Sequence, residues 1–197
     1  MKLKLLGTEI YVSFLFMAML TLMIACDKTG FVLPTLFAVF IHELGHLFAM
    51  WALGVSPKRI KLIPTSVQIV SDITSRYTSD IFVSLCGPIA NFVLFIALYI
   101  NFLSFKNEIS LCYGLLNLII GIFNLFPVKG LDGGRILLSL TAKFFSLNKA
   151  ELVLKIVTVI IAVAIIIVGI LLAIKKELNL SIFIIGIYLL TMSLAKA

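Results

Sequence analysis

The sequence predicts an all-α membrane protein, a six-transmembrane-helix bundle with a small surface β-hairpin between helices 2 and 3. Three observations predict it. Hydrophobic residues make up 62% of the 197-residue chain and charged ones 13%, far outside the soluble globular range. Apolar runs close to the roughly 20 residues that a bilayer demands recur along the whole chain. The connections between them are short, so residues 1–197 read as a single polytopic domain without a separate soluble one.

The first apolar run is Leu5 to Ala25, the second Phe31 to Leu53 and the third Ile81 to Phe105. The fourth is Ile109 to Pro127, the fifth Leu152 to Ile174 and the sixth Leu180 to Leu194. Lys2 and Lys4 before a run ending at Cys26 imitate a secretory signal with a lipid-modified cysteine. Glu9 within that run and the prompt start of the next one argue for a retained span. Pro88 predicts a bend in the third span. In the connection Gly54 to Asp80, β-branched and polar residues partly alternate from Arg59 to Ile73 around Pro64. A surface hairpin fits that pattern, and an irregular loop is the alternative because the alternation breaks at Thr65-Ser66. The connection Val128 to Ala150 opens on Lys-Gly-Leu-Asp-Gly-Gly and becomes helix-compatible from Arg135 to Phe145.

The net charge of +7 does not predict nucleic-acid binding, because the basic residues are scattered between spans and not gathered on one face. Their distribution predicts orientation. With the N-terminus in the cytoplasm, the inner side holds Lys2, Lys4, Lys58, Arg59, Lys61, Arg76, Lys129, Arg135, Lys143, Lys149 and Lys196. The outer side holds only Lys28, Lys106, Lys175 and Lys176, as the positive-inside rule requires. The three cysteines are odd in number and dispersed, which predicts neither a disulfide framework nor a thiolate metal site.

The second span contains His42-Glu43-Leu44-Gly45-His46, and these are the only two histidines. Helical positions i and i+4 share a face, so both imidazoles can address one ion. Glu43 lies about 100° round from His42, placed to handle a water without being a ligand. A carboxylate in an apolar span costs about 3 kcal/mol, a magnitude that marks function. A catalytic zinc takes three protein ligands and keeps one position open. With no third histidine, the remaining ligand must be an acid drawn from Glu9, Asp27, Asp72, Asp80, Glu108, Asp132, Glu151 and Glu177. The predicted topology puts the histidines in the cytoplasmic half, which removes Asp27, Glu108 and Glu177. Asp132 is favoured, since it follows the fourth span within a proline- and glycine-rich turn that can aim it inward. Asp80 is the runner-up, and Glu151 is the candidate if the ligand comes from a later helix.

These motifs together resemble the site-2 protease family of intramembrane zinc metalloproteases. The resemblance rests on the histidine motif, on Asn124-Leu-Phe-Pro127 with Leu131-Asp132-Gly-Gly134, and on Gly87-Pro88-Ile89-Ala90-Asn91 between them, over a core of about residues 31–140. Lys58-Arg59-Ile60-Lys61-Leu62-Ile63-Pro64 after the second span is most similar to the stage IV sporulation branch, whose members release a membrane-tethered sigma-factor precursor. It implies one zinc ion per chain on His42, His46 and Asp132, Glu43 as catalytic base, and Asn91 and Asn124 as substrate-side polar residues. From the residues alone, Asn91 serves equally well to tie two helices together. The resemblance further implies a membrane-tethered protein substrate, inhibitory membrane partners, the lipid bilayer of a bacterial cytoplasmic membrane, and an active site towards the cytoplasm. Two departures from the branch are the glycine-free Thr65-Ser66 stretch and the missing nucleotide-sensing CBS domain. The rival classes are a metal transporter, which would want more ligand-bearing helices, and a catalytically silent membrane scaffold.

Overall fold

The computed structural model describes residues 2–5, 8–55, 57–63, 66–71, 77–175 and 180–194. Asp72 and Glu177, two of the acids weighed as ligands, lie outside the described residues, as do Pro64, Thr65, Arg76, Lys176 and Lys196. The chain divides into two compact units, Met1–Asn124 and Leu125–Ala197.

The first unit opens with two strands, β1 (Lys2–Leu5) and β2 (Thr8–Val12), followed by helices α1 (Phe14–Cys26) and α2 (Val32–Ala52). Strands β3 (Pro57–Ile63) and β4 (Ser66–Ser71) come next, then α3 (Tyr77–Phe105) and α4 (Glu108–Asn124). The strands form one sheet in the order β1-β2-β3-β4, in which β1 pairs antiparallel with β2, β2 parallel with β3, and β3 antiparallel with β4. The apolar run expected as a helix from Leu5 is therefore divided. Its first part, Thr8–Val12, becomes a strand with β1 and β3 as neighbours, and the helix starts only at Phe14.

Helix boundaries in this unit have local causes. The Asp27 carboxylate accepts the backbone N–H groups of Thr29, Gly30 and Val32, which closes the turn that launches α2. At the other end, Gly54 takes φ +68 and Val55 N–H reaches back to Met50 C=O, a left-handed stop that satisfies orphan carbonyls. Asn107 caps α4 by accepting the N–H groups of Ile109 and Ser110. The Ser110 hydroxyl donates to Asn101 Oδ1, tying the start of α4 to the end of α3.

Helices α2 and α3 approach closely because Gly45 presents no side chain. A Cβ there would strike the Cys86 carbonyl and stand 2.9 Å from Ala90 Cβ. A small apolar core of Ala49, Met50 and Val83 lies nearby.

The second unit holds α5 (Asp132–Phe144), α6 (Leu147–Ile174) and α7 (Leu180–Leu194). Helices α6 and α7 pack where Gly186 meets Ile166 and Gly169 meets Ile182 and Phe183. Val128, Ala162 and Leu189 form the core of this unit.

Among the described residues, Val32–Ala52, Tyr77–Phe105 and Leu147–Ile174 are long and apolar enough to cross a membrane. Phe14–Cys26, Glu108–Asn124 and Leu180–Ser193 are apolar but shorter. Apolar side chains such as Phe14, Trp51, Phe105 and Ile174 are largely exposed, as expected where lipid and not water is the neighbour.

Candidate metal centre

Helix α2 brings His42 and His46 onto one buried face, with 4% and 5% of their surface exposed. Their Nε2 atoms stand 3.1 Å apart. Each Nδ1 is occupied by an oxygen acceptor on α3. His42 Nδ1–H donates to Asn91 Oδ1 at 2.7 Å, and His46 Nδ1–H donates to Val83 C=O at 2.8 Å. A carbonyl oxygen cannot donate, so both imidazoles carry a proton on Nδ1, and their Nε2 atoms face each other. Tetrahedral zinc with Zn–N bonds of about 2.0–2.1 Å separates its ligands by about 3.3 Å, close to the observed spacing.

The space beside the pair is lined by Gly87. A Cβ on Gly87 would lie 2.5 Å from His46 Cε1 and Nε2 and 2.9 Å from His42 Cε1. The Gly-Pro step in α3 thus serves the histidines directly: glycine leaves them room, while Pro88 stands next to it within the helix. Glu43, one residue after His42, is half-buried.

Asn91 is fully buried, and all its polar atoms point inward. Its Oδ1 receives His42, and its Nδ2 donates to Ala38 C=O at 2.9 Å and to Asn117 Oδ1 at 2.8 Å. Asn117, on α4, is equally buried and was not among the residues singled out from sequence. A polar amide in an apolar helix was the only signal that could have found it. The Asn124 amide donates to Ile120 C=O one turn back in its own helix.

In the second unit, Asp132 is the first residue of α5 and is 6% exposed. A carboxylate in the first turn of a helix faces the positive end of the helix dipole. The turn before it is built tightly. A Cβ on Gly133 would strike the Leu125 and Phe126 carbonyls, and one on Gly134 would strike the Val128 carbonyl. Gly130 takes φ +98, and Lys129 N–H donates to Thr158 Oγ1 at 3.0 Å. Thr158 is itself fully buried on α6 and donates to Leu154 C=O.

His42 and His46 in the first unit and Asp132 in the second are each buried, and imidazole nitrogens and a carboxylate oxygen are donor types that a divalent metal ion takes. The other acids have different settings. Asp80 sits in the first turn of α3, Glu108 in the first turn of α4, and Asp27 in the turn before α2. Glu9 on β2 and Glu151 on α6 are exposed.

Comparison with known proteins gives three findings. Residues 107–169 match the model of peptidase family M50. The chain is 33% identical over 118 residues to a curated zinc metalloprotease of Methanocaldococcus jannaschii, covering 57% of this chain and 34% of that relative. It therefore spans about a third of the length of that relative. The solved site-2 protease from Methanocaldococcus jannaschii superposes with a TM-score of 0.72 at 23% identity, over 98% of this chain and 93% of that one, a likeness of fold.

Proposed function

We propose that this chain is a zinc metalloendopeptidase of the site-2 protease type, cutting a membrane-tethered protein in or near its transmembrane segment; the match to peptidase family M50, the zinc metalloprotease relative and the shared fold support the reading. The observation that carries the reading is the buried histidine pair, whose Nε2 atoms face each other at 3.1 Å, close to the spacing of ligands on one ion.

In this proposal His42, His46 and Asp132 share one zinc, and Glu43 is the general base. Zinc, when bound, supplies a Lewis acid that polarises the scissile carbonyl and lowers the pKa of water to about 7. Glu43 takes the proton from the attacking water and later delivers it to the departing amine. Asn91 and Val83 hold the two imidazoles in the tautomer that binding needs.

Six apolar helices fit a chain embedded in the bilayer, with the N-terminus and the site towards the cytoplasm, as the distribution of basic residues supports. A helical substrate hides its carbonyls in its own hydrogen bonds, so it must be unwound before cleavage. The edge strand β4 offers main-chain partners for an extended segment. A proline scan across Ser66–Ser71 tests this, and undiminished cleavage throughout would count against it.

The deciding experiment co-expresses the full chain, or its Glu43→Gln form, with a panel of membrane-tethered transcription-factor precursors that includes a sporulation sigma-factor precursor. The expected result is cleavage by the native chain alone, with about one zinc per chain retained by both forms. Zinc retained without cleavage of any precursor favours a transporter or a scaffold.

A further inference from the structure

We infer that Asn117 is a positioning residue of the metal centre: through Asn91 it sets which ring nitrogen of His42 carries the proton. The inference rests on the metal reading above and adds a third helix, α4, to the residues that prepare the site.

Asn117 Nδ2 donates to Tyr113 C=O at 2.9 Å, one turn back in its own helix. That carbonyl cannot donate, so the Asn117 amide is held with Oδ1 facing α3. Asn91 Nδ2 donates to that oxygen, and its second proton goes to Ala38 C=O. With both amide protons committed, Asn91 can present only Oδ1 to His42, which must then donate from Nδ1. Every donor in the chain points the same way, from ring to amide to amide to backbone. Reversing Asn91 would set oxygen against oxygen or N–H against N–H at three contacts, and reversing Asn117 would do so at two.

Burial makes the order strict. Asn91 and Asn117 are both fully buried, so no solvent exchange can substitute for a lost partner. His46 Nδ1 is held by the Val83 carbonyl, outside the Asn91–Asn117 chain, and provides an internal reference. Because the chain has only two histidines, its imidazole spectrum contains one reporter and one reference.

The test is nitrogen-15 NMR of the histidine rings in the full-length, zinc-free protein in micelles at mildly alkaline pH, with zinc affinity measured in parallel. In the native chain, both rings are expected as the Nδ1–H tautomer. In Asn117→Leu, the Asn91 amide keeps only Ala38 C=O to fix its orientation, so His42 is expected as a mixture of tautomers while His46 keeps its proton on Nδ1. Zinc affinity should fall by about 10- to 100-fold, the usual effect of losing an outer-shell partner. In Asn117→Asp, a buried and neutral carboxyl reproduces both hydrogen bonds, so the single tautomer and native affinity should return.

A native His42 that is not purely Nδ1–H overturns the inference without need of a variant. So does an Asn117→Leu spectrum in which His42 is unmoved, or in which His42 and His46 change alike. Failure of the native chain to take up zinc would overturn the metalloprotease reading instead, because the tautomer is read in metal-free protein.

Discussion

Gly87 lies directly against the His46 imidazole, so that a methyl group on it would stand 2.5 Å from Cε1 and Nε2. No real Cβ contact is that short, so the ring must give way. Gly87→Ala is expected to displace both histidines and weaken zinc binding by on the order of 10-fold or more. Gly114→Ala is the matched control, because its Cβ meets Leu98 and Phe95 at ordinary distances of 3.4 Å and beyond. Zinc titration of the two variants checks the contrast.

Thr158 holds the turn before Asp132 from a helix 29 residues away in sequence. Thr158→Val keeps the shape but leaves Lys129 N–H without that acceptor, at a cost of about 1–3 kcal/mol. Thr158→Ser should retain most of the native stability. Chemical unfolding in micelles measures both, and a valine variant as stable as the native chain would deny Thr158 its part.

Gly134 is more demanding, because the obstruction to a side chain there is the Val128 carbonyl, part of the backbone itself. Gly134→Ala is expected to destabilise the second unit by about 1–3 kcal/mol or more, since overpacking forces the turn to move. Proteolytic sensitivity of the stretch from Leu125 to Leu131 provides the readout.

The turn before α2 should respond to acid. Backbone hydrogen bonding from Val32, then the Thr29 hydroxyl, holds the Asp27 carboxyl down at about 2, against an ordinary 3.8. A lowered folded-state pKa means that the contribution is complete above the unfolded value and fades as pH falls from about 3.8 through about 2. Amide exchange at Thr29, Gly30 and Val32 should therefore quicken across that window, and Asp27→Asn should show the faster exchange already at neutral pH.

The membrane class and the histidine motif were legible because each is a local property: an apolar run, and an i, i+4 spacing on one helix. The sequence favoured Asp132 as the acid beside glycines; it is buried, and α5 begins on it rather than at Arg135 because the tight turn ends at Leu131. Asn117 was hidden, since its importance lies in an amide 26 residues away and in the direction of a hydrogen bond, neither of which a spacing encodes. The N-terminal strands were obscured for another reason. Thr8–Val12 is continuous with the apolar run behind it, and only its pairing with β3 makes it a strand. Asn91 was legible as a buried polar residue, with its role open between substrate contact and helix tie. Its bonds to His42, Ala38 and Asn117 make it a tie among three helices.

The parallel seam between β2 and β3 constrains how the protein can be threaded. Strands joined by backbone hydrogen bonds share a compartment, so the stretch from Ser13 to Val55 departs from the sheet and comes home to it. Any passage of α1 through the lipid must be undone by α2, and an odd number of crossings there is forbidden. Epitopes placed before β1 and beside β3 will consequently be accessible from one and the same side.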